Sequence, residues 1–169
     1  MRVVSEERTI EELERKLQGA PLILFDGVCN LCQWSVQFVI RHDRQQTFYF
    51  SSLQSEWGQL LLREHGLGET ELKTMVHYHQ GQVDIRSAAA LKIARRLSGL
   101  WSLTALFIFV PARLRDGIYQ WVSRNRYAWF GRKEECWIPS DGLAKRFLET
   151  RSQESKPLNN AEMKTEIPF

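Results

Sequence analysis

An α/β domain is the fold class this sequence predicts, and three observations predict it. Leu22-Ile23-Leu24-Phe25 is a continuous apolar run of strand length, as in a strand buried on both faces. A helical pattern from Val28 to about His42 follows it, and a second strand-like run, Thr47 to Phe50, again leads into a helical one. The 169 residues carry no low-complexity run that would split them, so they suit one hydrophobic core.

The elements follow in order. Thr9 to Gly19 reads as a peripheral N-terminal helix occupying residues 1–19: Thr9 is the N-cap, Glu12 stands three residues on, Ile10, Leu13 and Leu17 keep helical spacing, and Gly19 stops it. Ala20-Pro21 opens the main domain, residues 20–149. The helix from Val28 has Leu31, Trp34 and Phe38 on one stripe, widened by Val36, Val39 and Ile40, which predicts deep burial. Thr47-Phe48-Tyr49-Phe50 is β-branched and aromatic. Ser52 to His65 is a helix closed by Gly66.

Met75 to His79, Gln80-Gly81 and Gln82 to Arg86 form a hairpin pattern, whose His77 and His79 read as a solvated strand face. Ser87 is expected to cap a helix over Ala88 to Leu97. The run Leu97 to Ala112 is shorter than the roughly 20 apolar residues of a membrane span and is broken by Ser98, Ser102 and Thr104, so it reads as a buried helix. Arg113, Arg115, Arg124 and Arg126 behind it keep membrane-surface contact as a second reading. A helix from Leu114 to Val122, the segment Asn125 to Gly131 and a short helix from about Ser140 to Glu149 complete a C-terminal helical extension. Residues 150–169 are polar and are expected to form a disordered tail.

The formal charge of +3, spread among acids, does not suit a nucleic-acid partner. Met1 to Lys16 mixes five glutamates with Arg2, Arg8, Arg15 and Lys16 and lacks the apolar core of a secretory signal, so a cytoplasmic location is expected. Three cysteines do not make a disulfide framework. In a reducing compartment a Cys-x-x-Cys is more often redox-active or metal-binding than a structural bridge.

The chemistry centres on Asp26-Gly27-Val28-Cys29-Asn30-Leu31-Cys32, where the first strand gives way to a helix. A thiolate, not a thiol, attacks a disulfide, and unpaired N–H groups in a first helical turn stabilise negative charge. Cys29 is therefore the candidate nucleophile. Cys32, one turn on and on the same face, is placed to resolve the mixed disulfide. An ionised Asp26 near the sulfur would raise the thiol pKa. Two readings of Asp26 stand side by side: a buried carboxyl that takes the proton of Cys32, or a cap of the helix.

Phe25-Asp26-Gly27-x-Cys29-x-x-Cys32, followed by Val36, Phe38 and Asp43, resembles the DCC family of predicted thiol-disulfide oxidoreductases, named for their Asp-x-x-Cys-x-x-Cys signature. Arg86-Ser87-x-Ala89, Arg115-Asp116-x-x-Tyr119, Asn125-Arg126-Tyr127-x-x-Phe130-Gly131 and Cys136 are similar to that family's later motifs, so the likeness spans roughly residues 21–140. It implies a thioredoxin-like fold, a central mixed sheet flanked by helices, with the added C-terminal helical segment. It implies catalytic Cys29, Cys32 and Asp26, no cofactor or metal, and a protein or low-molecular-weight thiol or disulfide as substrate. Asn30-Leu31 stands where thioredoxins have Gly-Pro, so no redox potential carries over. Leu72-Lys73-Thr74-Met75 lacks the cis-proline that thioredoxins place beside the dithiol, so a trans loop of another shape is expected there.

Competing readings are weighed by the same residues. A zinc site from Cys29, Cys32, Cys136 and a histidine is weakly supported by the scattered spacing. A non-catalytic binding module would use the aromatic and basic segment from Trp101 to Trp137. A phosphatase reading of the strand ending in Asp26 fails because Val28 stands where a second aspartate is needed. Arg115, Asp116, Tyr119, Asn125, Arg126 and Tyr127 form either a structural polar network or the lining of a site.

Overall fold

The computed structural model describes residues 9–68, 74–132 and 141–148. Cys136 and the tail of residues 150–169 lie outside the described residues, as do Leu72 and Lys73. The helices are α1 (Ile10–Leu17), α2 (Asn30–His42), α3 (Glu56–Glu64), α4 (Arg86–Arg96), α5 (Ala112–Phe130) and α6 (Asp141–Ala144). The strands are β1 (Leu22–Phe25), β2 (Tyr49–Ser52), β3 (Val76–His79) and β4 (Gln82–Ile85).

The sheet order is β2-β1-β3-β4, with β1 parallel to β2 and antiparallel to β3, and β3 antiparallel to β4. This mixed sheet has helices on both faces, the α/β arrangement expected of a thioredoxin-like fold. β1 shows why its run is apolar throughout. Leu22 and Leu24 pack with Leu13 and Leu17 of α1 and with Trp57, Leu60 and Leu61 of α3. Ile23 and Phe25 point the other way, onto Val36 and Val39 of α2 and Ile93 of α4. Two-sided burial at period 2 removes any need for alternation. Leu13 and Leu17 are fully buried, so α1 is part of the core layer.

Several boundaries differ from expectation for physical reasons. β2 starts at Tyr49 because the Asp43 carboxylate accepts from the N–H groups of Thr47 and Phe48, at 3.0 and 3.1 Å, removing both from the ladder. Ser87 does not cap α4; Ile85 holds the N-cap position, and the Ser87 hydroxyl donates to Asp116 of α5. The hairpin turn places Gln80 and Gly81 at φ of 49° and 76°, as a two-residue loop between twisted strands requires. His77 is buried and its Nδ1 donates to Asp84 Oδ2 at 3.2 Å, so that strand face is not simply solvated.

The run after α4 departs most from expectation. Gly99–Phe109 is a 3-10 segment and not a buried α-helix; Leu103, Leu106 and Phe107 are exposed and Phe109 is 85% exposed. α5 runs unbroken from Ala112 to Phe130, joining the two pieces expected there, and shows Leu114, Ile118 and Trp121 to solvent. Among the described residues, no helix is long and apolar enough to cross a membrane. Beyond α6, Phe50 and Phe147 form a parallel bridge and stack at 5.3 Å, while buried Arg146 pairs with Asp43.

Candidate active site

The turn between β1 and α2 is tied by Asp26. Its Oδ1 accepts from Val28 N at 3.2 Å and its carbonyl from Cys29 N at 3.3 Å, so the helix starts at Asn30 and not at Val28. Cys29 is itself the N-cap: its sulfur accepts from Cys32 N at 3.4 Å. The capping alternative for Asp26 is thereby replaced, since a cysteine sulfur holds that position. Gln33 Nε2 donates to Gly27 O at 2.7 Å and secures the turn from inside the helix.

Asp26 is only 2% exposed, yet its wall is polar. Oδ2 accepts from Arg126 Nη2 at 2.5 Å and from the Tyr127 hydroxyl, and Oδ1 accepts from Gln54 Nε2 at 3.2 Å. Arg126 also donates from Nη2 to the Tyr127 hydroxyl at 2.8 Å and from Nη1 to Cys32 Sγ at 3.4 Å. One guanidinium therefore joins the buried carboxylate to the dithiol across 100 residues of chain. Tyr127 is held above its usual pKa, first by burial and then by its bond to Asp26, so its hydroxyl stays a donor.

Cys29 and Cys32 are both free thiols, the reduced state. The Cys29 thiol is lowered to about 6, first because the Cys32 thiol donates to it, then through Cys32 N–H and the charge of Arg126; burial and the charge of Asp26 act against this. Cys32 is pushed up, first by the bond in which its proton is engaged by Cys29 and then by burial, with Arg126 opposing. The pair thus shares one negative charge that settles on Cys29. This is the split a dithiol needs if one sulfur is to be a thiolate near neutral pH while the other keeps its proton.

Access to the two sulfurs differs. Cys29 is fully buried, with its backbone bridged to Arg132 and the neighbouring Asn30 Nδ2 donating to Phe130 O at 2.8 Å. Gly131, at φ +77°, makes that chain reversal possible. Cys32 is half-buried and lines an apolar cavity of about 250 Å³ between α2, α4 and α5.

The remaining expected residues are placed as well. Tyr119 accepts from Thr74 Oγ1 and from Met75 N, both at 3.0 Å, so the backbone donor ahead of β3 is already used inside the protein. The peptide bonds of the described residues are all trans. Asn125 Nδ2 stays on α5, donating to Trp121 O. No group of three or more His, Cys, Asp or Glu that could hold a metal occurs among the described residues. Arg126 and Tyr127 belong to the site, Asp116 braces α5 against α4, and Tyr119 both holds the segment ahead of β3 and lines the cavity beside Cys32. Gln54 and Gln33 carry no signal in the sequence; a glutamine two residues past a strand has no pattern of its own.

The model of the DCC1-like thiol-disulfide oxidoreductases matches residues 23–132, which reach from β1 through the dithiol to the Arg126 and Tyr127 pair. The chain belongs to that family. It is similar to uncharacterized protein YuxK of Bacillus subtilis, with 48% identity over 127 residues, covering 75% of this chain and 93% of the relative. It is also similar to the DCC family protein At1g52590, chloroplastic, of Arabidopsis thaliana, with 41% identity over 117 residues, 69% of this chain and 68% of that protein. No solved structure matches. The family's name agrees with a thiol-disulfide oxidoreductase role for the Cys29 and Cys32 pair.

Proposed function

We propose that this DCC-family protein is an enzyme that passes two electrons between the Cys29–Cys32 dithiol and a thiol or disulfide of another molecule. The observation that carries the reading is the geometry of the pair: Cys29 caps α2 with its sulfur accepting from Cys32 N at 3.4 Å, and Arg126 Nη1 donates to Cys32 Sγ at 3.4 Å. In the oxidising direction two thiols are lost from the protein and one disulfide forms between Cys29 and Cys32. In the reducing direction Cys29 leaves as a stabilised thiolate, which favours opening of that disulfide.

Asp26 acts in this scheme as a positioning residue. Its carboxylate raises the dithiol on its own, so its value lies in anchoring Arg126, whose charge lowers Cys29. Tyr127, on the same oxygen, fixes the guanidinium plane. The test is exchange with small and protein disulfides by wild type, Cys29→Ser, Cys32→Ser and the double variant. Wild type is expected to accelerate exchange and to lose this with either cysteine; equal rates for wild type and the double variant would overturn the proposal.

A further inference from the structure

We infer that the oxidised protein accepts electrons from a compact, uncharged apolar thiol or dithiol, which enters the cavity beside Cys32 and forms its mixed disulfide on Cys32. The inference rests on the exchange reading above and adds the substrate class and the attacked sulfur.

The first ground is access. Cys29 has no exposed surface and lies beneath the Phe130 to Arg132 turn, whereas Cys32 faces a cavity. A sulfur arriving from outside meets Cys32 first. The second ground is the wall. Trp34, Phe38, Met75, Ile93, Leu97 and Val122 surround the space. Arg126, the charged group at its edge, is already bonded to Asp26, Tyr127 and Cys32. The lining also carries Ser35, Tyr119 and Ser123, but the wall is mainly apolar, so a charged substrate would give up most of its water on entering. The third ground is size. The space of about 250 Å³ has room for a short aliphatic or single-ring thiol to lie wholly against the apolar wall.

The substrate thiolate attacks Cys32 Sγ of the Cys29–Cys32 disulfide, the S–S bond breaks, and Cys29 leaves with the electron pair. It departs into a place prepared for negative charge, facing Cys32 N–H and the field of Arg126. A second thiol, the same molecule in a dithiol, attacks the substrate sulfur of the mixed disulfide, and Cys32 departs and takes up a proton. Two thiols become one disulfide, and the protein gains two electrons. The order of roles is the reverse of that expected from sequence, where Cys29 makes the first bond to substrate.

The test starts from protein oxidised with diamide. Its reduction by butanedithiol, glutathione and an unfolded cysteine peptide is timed, each rate divided by that of the same thiol with a free aromatic disulfide. Butanedithiol is expected to be favoured at least about tenfold over glutathione. Ala90 lines the cavity, is solvent-open and is outside the dithiol network. Ala90→Phe should lower the butanedithiol rate severalfold in a protein that circular dichroism shows to be folded. Butanethiol followed by N-ethylmaleimide should give, by peptide mass, an adduct on Cys32 and alkylation on Cys29. An adduct on Cys29, equal normalised rates for glutathione or the peptide, or a silent Ala90→Phe would overturn the inference. Failure of diamide to join Cys29 to Cys32 would instead remove the exchange reading beneath it.

Discussion

Replacing Arg126 with Gln removes the cation that lies 2.5 Å from Asp26 Oδ2 and 3.4 Å from Cys32 Sγ, and leaves the Asp26 carboxylate beside the dithiol. A neighbouring opposite charge shifts a titrating group by roughly one to three pKa units. Cys29, lowered to about 6 with Arg126 present, is expected to rise toward the range of an ordinary thiol. Arg126 ranks behind the Cys32 thiol and N–H in lowering Cys29, so for a rise of about one unit its thiolate fraction at pH 7 falls from roughly nine-tenths to one-half, and its alkylation rate falls about twofold. The assay is the iodoacetamide rate of the Cys29 peptide from acid to alkaline pH, read by mass spectrometry. Losing one partner of a buried ion pair costs about 3–5 kcal/mol, so circular dichroism must show the variant folded, and Arg126→Lys, which keeps the charge, should retain most of the low midpoint. A folded Arg126→Gln protein whose Cys29 midpoint stays near that of wild type would refute the role given to the guanidinium.

Other consequences are accessible to simple measurements. Because the Cys29 value near 6 lies below its ordinary 9.0, the unfolded state holds more protons in that window, so urea unfolding of the reduced protein should show stability rising from pH 6 toward 9. The raised Cys32 adds the opposite slope above about pH 9. Cys29→Ser should flatten the rising limb. Gly58→Ala brings a Cβ to 2.3 Å from Ser52 O and should cost about 1–3 kcal/mol, seen as a lower melting temperature. Asn30→Ala removes the bond to Phe130 O and should speed alkylation of Cys29 by loosening its cover, with little change in the pH midpoint.

What could be read from sequence was what local pattern encodes. β1 declared itself because two-sided burial leaves four apolar residues in a row, and the dithiol because its spacing sits at a strand-to-helix change. The partners of Asp26 were harder. Arg126 and Tyr127 lie about a hundred residues away, and a polar cluster looks alike in sequence whether it braces two helices or lines a site. Gly99–Phe109 has the composition of a buried segment because apolar composition records a preference for burial and not what is available to cover it. Ser87 had the residue type of a cap, but a carboxylate on α5 competed for its hydroxyl. β2 starts later than its residue types suggest because Asp43 captures two N–H groups, a contact that those types do not announce.

Whether Cys29 and Cys32 cycle together is read most directly by equilibrating the protein in mixtures of reduced and oxidised glutathione, quenching with acid and weighing it. A single reversible two-electron transition is expected, ending in one Cys29–Cys32 disulfide and leaving no lasting glutathione adduct. Cysteines that stay as thiols in oxidised glutathione, or that end only as separate glutathione adducts, would contradict a role in thiol-disulfide exchange.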